Sequence, residues 1–234
     1  MVEELLVTAR HNYKVDPSLA IWSWEIPVYL FLGGLTAGIM CFAAYAVLRG
    51  KSADLPFTHD RCPLWAPVAL SVGMTALFLD LEHKLYVFRF YTSFEPASPM
   101  SWGAWILVLV YPLMVLQTFS VLRRGYPALA GWIEKLPFGS VALDISEDLR
   151  RPVAALVIPL AVGLGIYTGV LLSAFSARPF WNTGLLGPLF LVSGLSTAAA
   201  LALIGSRLDC EKHFFTRADI TLIGIELTFI AMLV

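Results

Sequence analysis

The stretch WGAWILVLVYPLMVLQTFSVL, Trp102 to Leu122, decides the fold class of this chain. It carries no charged side chain, and as a helix it is long enough to cross the hydrocarbon core of a bilayer, which takes about 20 mostly apolar residues. The whole chain agrees, because 58% of its 234 residues are hydrophobic, only 14% are charged and its mean hydropathy is +0.75. Soluble domains carry about 25% charged residues. We therefore predict an all-α integral membrane protein.

Apolar runs of similar length predict six membrane-spanning helices in a single domain of residues 1–234. A closed β-barrel, the other architecture that spans a membrane, would need short alternating segments that the chain lacks. The predicted spans are residues 26–48, 64–81, 102–122, 152–173, 185–204 and 220–234.

The distribution of positive charge predicts the orientation of this bundle. Of the 16 Lys and Arg residues, the N-terminal segment and the second and fourth loops hold only Arg10, Lys14, Lys84, Arg89 and Arg178. The remaining residues lie in the first, third and fifth loops, and positively charged loops face the cytoplasm. The N-terminus is therefore predicted to lie outside the cytoplasm. Its mixed charge does not fit a cleaved signal peptide, which favours an uncleaved signal anchor.

Ionisable and aromatic side chains cluster at the predicted outer face. They are Glu25, Tyr29, Asp80, Glu82, His83, Trp102 and Tyr167. Ionisable groups at membrane depth cost at least a few kcal/mol, so each is a functional candidate. Carboxylates and imidazoles exchange protons and phenols donate hydrogen bonds, so this set beside apolar walls suits the polar head of a quinone. Glu226, midway along the sixth span, is a separate candidate for proton movement.

Each candidate also has a structural interpretation, and the sequence leaves both open. Glu25 could be solvated at the lipid interface, and either tyrosine could belong to an aromatic belt. Asp80 could form an ion pair with Lys84, four residues along the same helix. His83 could simply lie at the interface, and Glu226 could make a structural hydrogen bond.

Several other functions are disfavoured by composition. A net charge of −1 gives no basic surface for nucleic acid. The three cysteines are not spaced as an iron–sulfur or zinc ligand set, so no metal is expected in this chain. None of the histidines is predicted to lie mid-span, which argues against a haem held by two histidines. They are His11, His59, His83 and His213.

The segment DLEHKLYVFRFYTSFEPASPMSWGAWIL, residues 80–107, resembles the signature of the NrfD/PsrC-like family, the membrane subunits of polysulfide reductase and related complexes. The segments WSWEIPVYLFLGGLTAG (22–38), GIYTGVLLS (165–173) and PFWNTGLLGPLFLVSGLS (179–196) resemble the first, fourth and fifth helices of that family. The resemblance covers nearly the whole chain, and SPMSWG (98–103) is its most specific part.

This resemblance implies a haem-free subunit of a bacterial or archaeal inner (cytoplasmic) membrane that binds menaquinone or ubiquinone near its outer face. It also implies a ferredoxin-like iron–sulfur partner and a catalytic redox subunit, often with a molybdenum or tungsten pterin. Tyr167 matches the family's quinone-binding tyrosine. Tyr29 and Ile26 stand where the family has a histidine and an asparagine, and residues 82–84 replace Gly-Arg-Pro. Eight or more helices are usual, so the natural chain is expected to continue past Val234.

We therefore expect a membrane anchor subunit that exchanges electrons between the quinone pool and an iron–sulfur partner, with associated proton exchange. The expected quinone pocket is Tyr29, Tyr167 and Trp102, walled by residues 98–103, and the expected proton-exchanging residues are Glu25, Asp80, Glu82, His83 and Glu226. A proton-coupled transporter or channel without redox chemistry is the alternative, and a purely structural anchor is a further one. The terminal substrate would be decided by the partner.

Overall fold

The computed structural model of the protein describes residues 24–81, 84–86, 88–92, 95, 98–173 and 183–233. Throughout these residues the regular structure is helical and no strand occurs, which confirms the predicted fold class. In this described part of the chain, five helices are long and apolar enough to cross a membrane.

The helices follow the predicted spans closely, with short helical pieces between them. In order along the sequence they are α1 (Glu25–Leu48), a π-helical turn (Phe57–Arg61), α2 (Cys62–Asp80), a 3-10 turn (Lys84–Tyr86), α3 (Arg89–Thr92), α4 (Pro99–Gly125), α5 (Pro127–Ile133), α6 (Gly139–Asp148), α7 (Arg150–Ser173), α8 (Leu186–Gly205) and α9 (Asp209–Leu233).

The sixth predicted span, residues 220–234, is the end of a longer helix. The helix α9 begins at Asp209, well before the predicted start. It is long enough to cross a membrane but less apolar than the other five long helices, because its last 18 residues include Arg217, Asp219 and Glu226. The apolar run alone therefore placed the start of this helix too late.

The helix α1 lies at the centre of the bundle, packed against α2, α7 and α8, and α4 packs against α7. Small side chains allow this close packing: Ala37 and Ala44 of α1 and Ala161 of α7 are almost completely buried. A Cβ at Gly38 would overlap the backbone of Gly194 in α8. Packing through small residues is the usual way in which membrane helices associate.

The segment SPMSWG is the beginning of a helix and not a loop before one. The predicted third span starts at Trp102, whereas α4 already starts at Pro99, because proline is well suited to the first helical position. The N-cap is Ser98, with extended backbone angles. Ser101 lies inside the helix, where its Oγ accepts the backbone N–H of Glu95 at 3.0 Å.

Candidate functional site

A cavity of about 500 Å³ lies between α1, α2, α4 and α7, near the end of the bundle where α4 begins. Cavities of this size commonly hold small molecules. From Met100 to Tyr111, both on α4, it extends about 16 Å along the helix axis. Its apolar wall includes Met74, Leu77, Phe78, Met100 and Leu107.

Residues with hydroxyl-bearing side chains from all four of these helices and from α3 line the same cavity. They are Tyr29, Ser71, Thr75, Tyr91, Tyr111 and Tyr167. A phenol or hydroxyl can donate one hydrogen bond and accept others. The cavity therefore combines apolar walls with several neutral hydrogen-bond donors.

Tyr29 and Tyr167, which the sequence singled out, both line this cavity. They come from α1 and α7 and are 2% and 8% exposed, so both rings are buried inside the bundle. Neither is an aromatic-belt residue at the lipid interface. Beside Tyr29 lies Gly73 of α2, where a Cβ would come within 3.6 Å of the tyrosine ring.

The position of Tyr167 explains why the motif SPMSWG ends in a glycine, Gly103. A Cβ at position 103 would overlap the ring and the hydroxyl of Tyr167. Only a glycine in the first turns of α4 therefore lets the Tyr167 phenol reach its observed position. The motif contributes to the site in two ways: Gly103 leaves space for the phenol, and the side chain of Met100 lines the cavity. Ala104, the first residue after the motif, also lines it.

Ser71 and Tyr111 form a hydrogen-bonded pair that the sequence did not single out. The Ser71 Oγ and the Tyr111 hydroxyl lie 3.3 Å apart, linking α2 to α4 at the inner end of the cavity. Thr75, one turn from Ser71, donates its hydroxyl to the Ser71 carbonyl at 2.7 Å. The spacing of Ser71 and Thr75 by four residues within an apolar span was the available signal, because it puts two hydroxyls on one helix face.

Tyr91 on α3 is a second phenol of the cavity that the sequence did not single out. Partial burial, and then the nearby Tyr111, raise the pKa of Tyr91 above its ordinary value of 10.0. The phenol therefore remains protonated, and able to donate a hydrogen bond, throughout the physiological pH range.

Three other predicted site residues lie near this end of the bundle but do not line the cavity. The Glu25 carboxylate has a buried Oε2 without a hydrogen-bond partner among the described residues. Asp80 is exposed at the end of α2, next to the cavity residue Leu81. Trp102 is 55% exposed, on the outside of α4. Their proposed roles stay predictions.

Glu226 lies on α9, apart from the cavity. Its buried Oε1 has no hydrogen-bond partner within the part of the chain that the structure describes. The same is true there of the buried Nε2 of His59, at the end of the bundle opposite the cavity. Glu82 and His83 lie outside the described residues. Within the described ranges, no group of three or more His, Cys, Asp or Glu side chains is arranged to hold a metal ion.

This protein has named relatives along most of its length. The sequence model of the family described as "Polysulphide reductase, NrfD" matches residues 11–234. The chain is 30% identical to Protein NrfD of Escherichia coli K12 over 88% of its own length. It is 31% identical to one of the polypeptides of polysulfide reductase from Wolinella succinogenes over 75% of its length, and 28% identical to one of the subunits of tetrathionate reductase from Salmonella typhimurium over 91%.

The alignments cover only part of each relative. They include 68% of the Escherichia coli protein, 55% of the Wolinella protein and 56% of the Salmonella protein. The family match itself nevertheless extends over nearly the whole of this chain, and the multi-pass helical architecture is consistent with it. This chain therefore belongs to the NrfD family of polysulphide reductase proteins.

Proposed function

We propose that this protein is the quinone-reactive membrane subunit of a respiratory oxidoreductase. The observation that carries the proposal is the cavity in which the buried phenols of Tyr29 and Tyr167 face apolar walls. Two of the relatives are by name parts of a polysulfide and a tetrathionate reductase, which supports a place in a redox complex. The catalytic subunit would be a separate polypeptide.

The cavity has the chemistry that a quinone needs. Menaquinone and ubiquinone have two carbonyl oxygens that accept hydrogen bonds, on a ring with a long apolar tail. Tyr29 and Tyr167 would donate to one carbonyl, and Tyr111 with Ser71 would offer hydroxyls further along the cavity. Among the lining side chains of α2, Ser71 is exposed and Phe78 is 41% exposed. An apolar tail could leave along this side into the bilayer.

Reduction of a bound quinone to quinol takes up two electrons and two protons, and oxidation releases them. A ferredoxin-like iron–sulfur subunit at the face nearest the cavity would exchange the electrons. The phenols would orient the ring and donate hydrogen bonds to its oxygens. Exposed carboxylates such as Asp80, close to the cavity residue Leu81, would exchange protons with water.

Glu25, Glu82 and His83 would act with Asp80 at this outer face, and Glu226 would extend proton movement into the membrane. The helix α9 supports this extension, because Asp219 and Glu226 are seven residues apart and therefore share one helix face. Asp219 accepts a hydrogen bond from Ser196 of α8 at 2.6 Å. The cavity would face away from the cytoplasm of a bacterial or archaeal cell, as the distribution of positive charge predicts.

The test replaces each buried phenol by phenylalanine, which keeps the ring and removes the hydroxyl. Tyr29→Phe and Tyr167→Phe should leave the amount of assembled complex unchanged and weaken apparent quinol affinity about fivefold or more, since a lost hydrogen bond is worth about 1 kcal/mol. The apparent quinol affinity is obtained from the rate of quinol oxidation by membranes at a series of quinol concentrations. Unchanged kinetics in both variants would support a structural anchor instead.

A proton-coupled transporter or channel without redox chemistry is the second candidate. It is favoured by the buried carboxylate oxygens of Glu25 and Glu226, which have no hydrogen-bond partner among the described residues. Proton flux into vesicles that contain the purified protein, with no quinone and no partner present, separates the two. A flux that is lost in Glu226→Gln would favour transport.

A further inference from the structure

The helices α5 and α6 form a hairpin between α4 and α7, at the end of the bundle opposite the cavity. One side of this hairpin is fixed to the bundle. Ala130 and Leu143 are buried against Leu122 of α4. Arg123 of α4 donates to Glu134 at 2.8 Å and to Asp144 at 2.7 Å, and so ties both arms of the hairpin to α4.

The other side of the hairpin exposes large apolar side chains, with the exposed carboxylate of Asp148 beside them at the end of α6. The exposed fractions are 62% for Trp132, 47% for Leu136, 83% for Phe138, 50% for Val141 and 49% for Ile145. Large contiguous apolar patches are rare on surfaces that face water, and they mark sites that contact a membrane or another protein. This side of the hairpin is therefore a candidate contact surface.

Phe138 at the tip of the hairpin has an unfavourable backbone conformation. Its φ is 68° and its ψ is 2°, in the left-handed region. It is the one non-glycine residue with positive φ in the described part of the chain. A side chain with a Cβ is disfavoured there. Contacts of its own side chain do not compensate for this cost, because that side chain is 83% exposed.

We propose that this hairpin lies in the lipid headgroup region, with Trp132, Phe138 and Ile145 inserted among the acyl chains. Its position argues for lipid as the occupant. Only Tyr126 separates α4 from α5, and only Leu149 separates α6 from α7. The hairpin therefore begins and ends directly at the ends of two membrane-spanning helices, the level at which lipid headgroups lie.

The exposed charges of the hairpin fit the same position. Arg124 and Arg151 are exposed at its base, Lys135 is exposed near its tip, and the acidic Glu134, Asp144 and Glu147 are paired with Arg123. Basic side chains at the ends of spans are well placed to reach lipid phosphates, whereas aromatic and aliphatic side chains enter the boundary below them. The hairpin would then set the depth of α4 and α7, which carry Gly103 and Tyr167.

The test measures the depth of single labelled positions in the full-length protein, reconstituted in phospholipid nanodiscs. Cys210→Ser removes the exposed native thiol. Phe138→Cys and Ile145→Cys are then labelled separately with an environment-sensitive fluorophore. Ser140→Cys is the matched control, because Ser140 is exposed on the same helix but lies roughly 100° around its axis from Val141.

We expect blue-shifted emission at positions 138 and 145, strong quenching by nitroxide-labelled lipids and weak quenching by aqueous iodide. Position 140 should show the opposite pattern. If iodide quenches all three positions equally, the hairpin lies in water and the proposal is wrong. Protection of 138 and 145 from both quenchers would also overturn it, because a protein surface and not lipid would then cover the hairpin.

Discussion

Gly103 and Tyr167 are the pair of residues on which the geometry of the candidate site most depends. Gly103→Ala would place a methyl group where the Tyr167 ring lies. We expect the phenol to be displaced and quinol turnover to fall, with a loss of stability of about 1–3 kcal/mol from overpacking. Quinol kinetics and thermal unfolding in detergent measure the two effects.

Gly163→Ala is the matched control for this change, because it lies on α7 with Tyr167. A Cβ there would meet no heavy atom within 4 Å. This variant should keep wild-type turnover and gain up to about 1 kcal/mol, the difference in helix propensity between the two residues. If Gly103→Ala behaves like Gly163→Ala, the position of Tyr167 does not depend on Gly103.

The sequence predicted some of the residues that line this cavity. Tyr29 and Tyr167 stood out as phenols in apolar spans, and the structure brings them to one cavity. Ser71, Thr75, Tyr91 and Tyr111 were missed, because a hydroxyl within or beside a span is common and its direction depends on how the helices pack. The reason for a glycine at position 103 also became visible only when α7 was placed beside α4.

The beginning of α4 should matter both for the cavity and for the partner subunit. Replacing residues 98–103 by a flexible Gly/Ser segment would remove Pro99 from the first helical position and disturb the bond between Ser101 and Glu95. We expect lower quinone turnover and a weaker hold on the partner subunit. Turnover and the amount of co-purified partner are measured together. If turnover and the amount of partner both stay at wild-type values, the segment serves only to begin the helix.

The π-helical turn before α2 depends on one carboxylate from α9. Glu211 is fully buried and accepts hydrogen bonds from the backbone N–H of Thr58 at 2.9 Å and from its hydroxyl at 2.8 Å. A hydrogen bond to a charged group contributes about 1.5–3 kcal/mol. Glu211→Ala should therefore lower the unfolding temperature clearly.

The matched control for this change is Lys212→Ala, at the neighbouring exposed position of α9. It should leave the unfolding temperature close to that of the wild type. Quinol affinity should be the same in both variants, because Glu211 does not line the cavity. A loss of quinol affinity in Glu211→Ala without a loss of stability would mean that this carboxylate acts in the reaction.

Over the whole molecule, hydropathy predicted the helical architecture well, whereas the orientation inferred from the positive charges stays a prediction. Five spans were found within a few residues, because a long apolar segment has few alternatives to a membrane helix. The start of α9 was misplaced because its first two turns are polar, yet Glu211 and Phe215 are buried there. A hydropathy scale treats Glu211 as exposed, because it takes no account of the hydrogen bonds from Thr58 that allow this carboxylate to be buried.

The partner is also a prediction about the whole molecule. In mild detergent, the protein should co-purify with a subunit that carries ferredoxin-like repeats of four cysteines, which mass spectrometry would identify. The cysteine and histidine positions of this chain predict neither an iron–sulfur cluster nor a haem. The second polypeptide would therefore supply the redox centres. Purification of the protein alone under the gentlest conditions would favour the transporter.

Electron transfer from quinol to the partner is the decisive test of the quinone site. Quinol is added anaerobically to the purified complex, and reduction of the partner's iron–sulfur clusters is followed by electron paramagnetic resonance. We predict reduction in the wild type, and much slower reduction in the Tyr29→Phe, Tyr167→Phe double variant at equal partner content. Equal rates in the two proteins, or no reduction in the wild type with its partner bound, would contradict the assignment of this cavity as the quinone site.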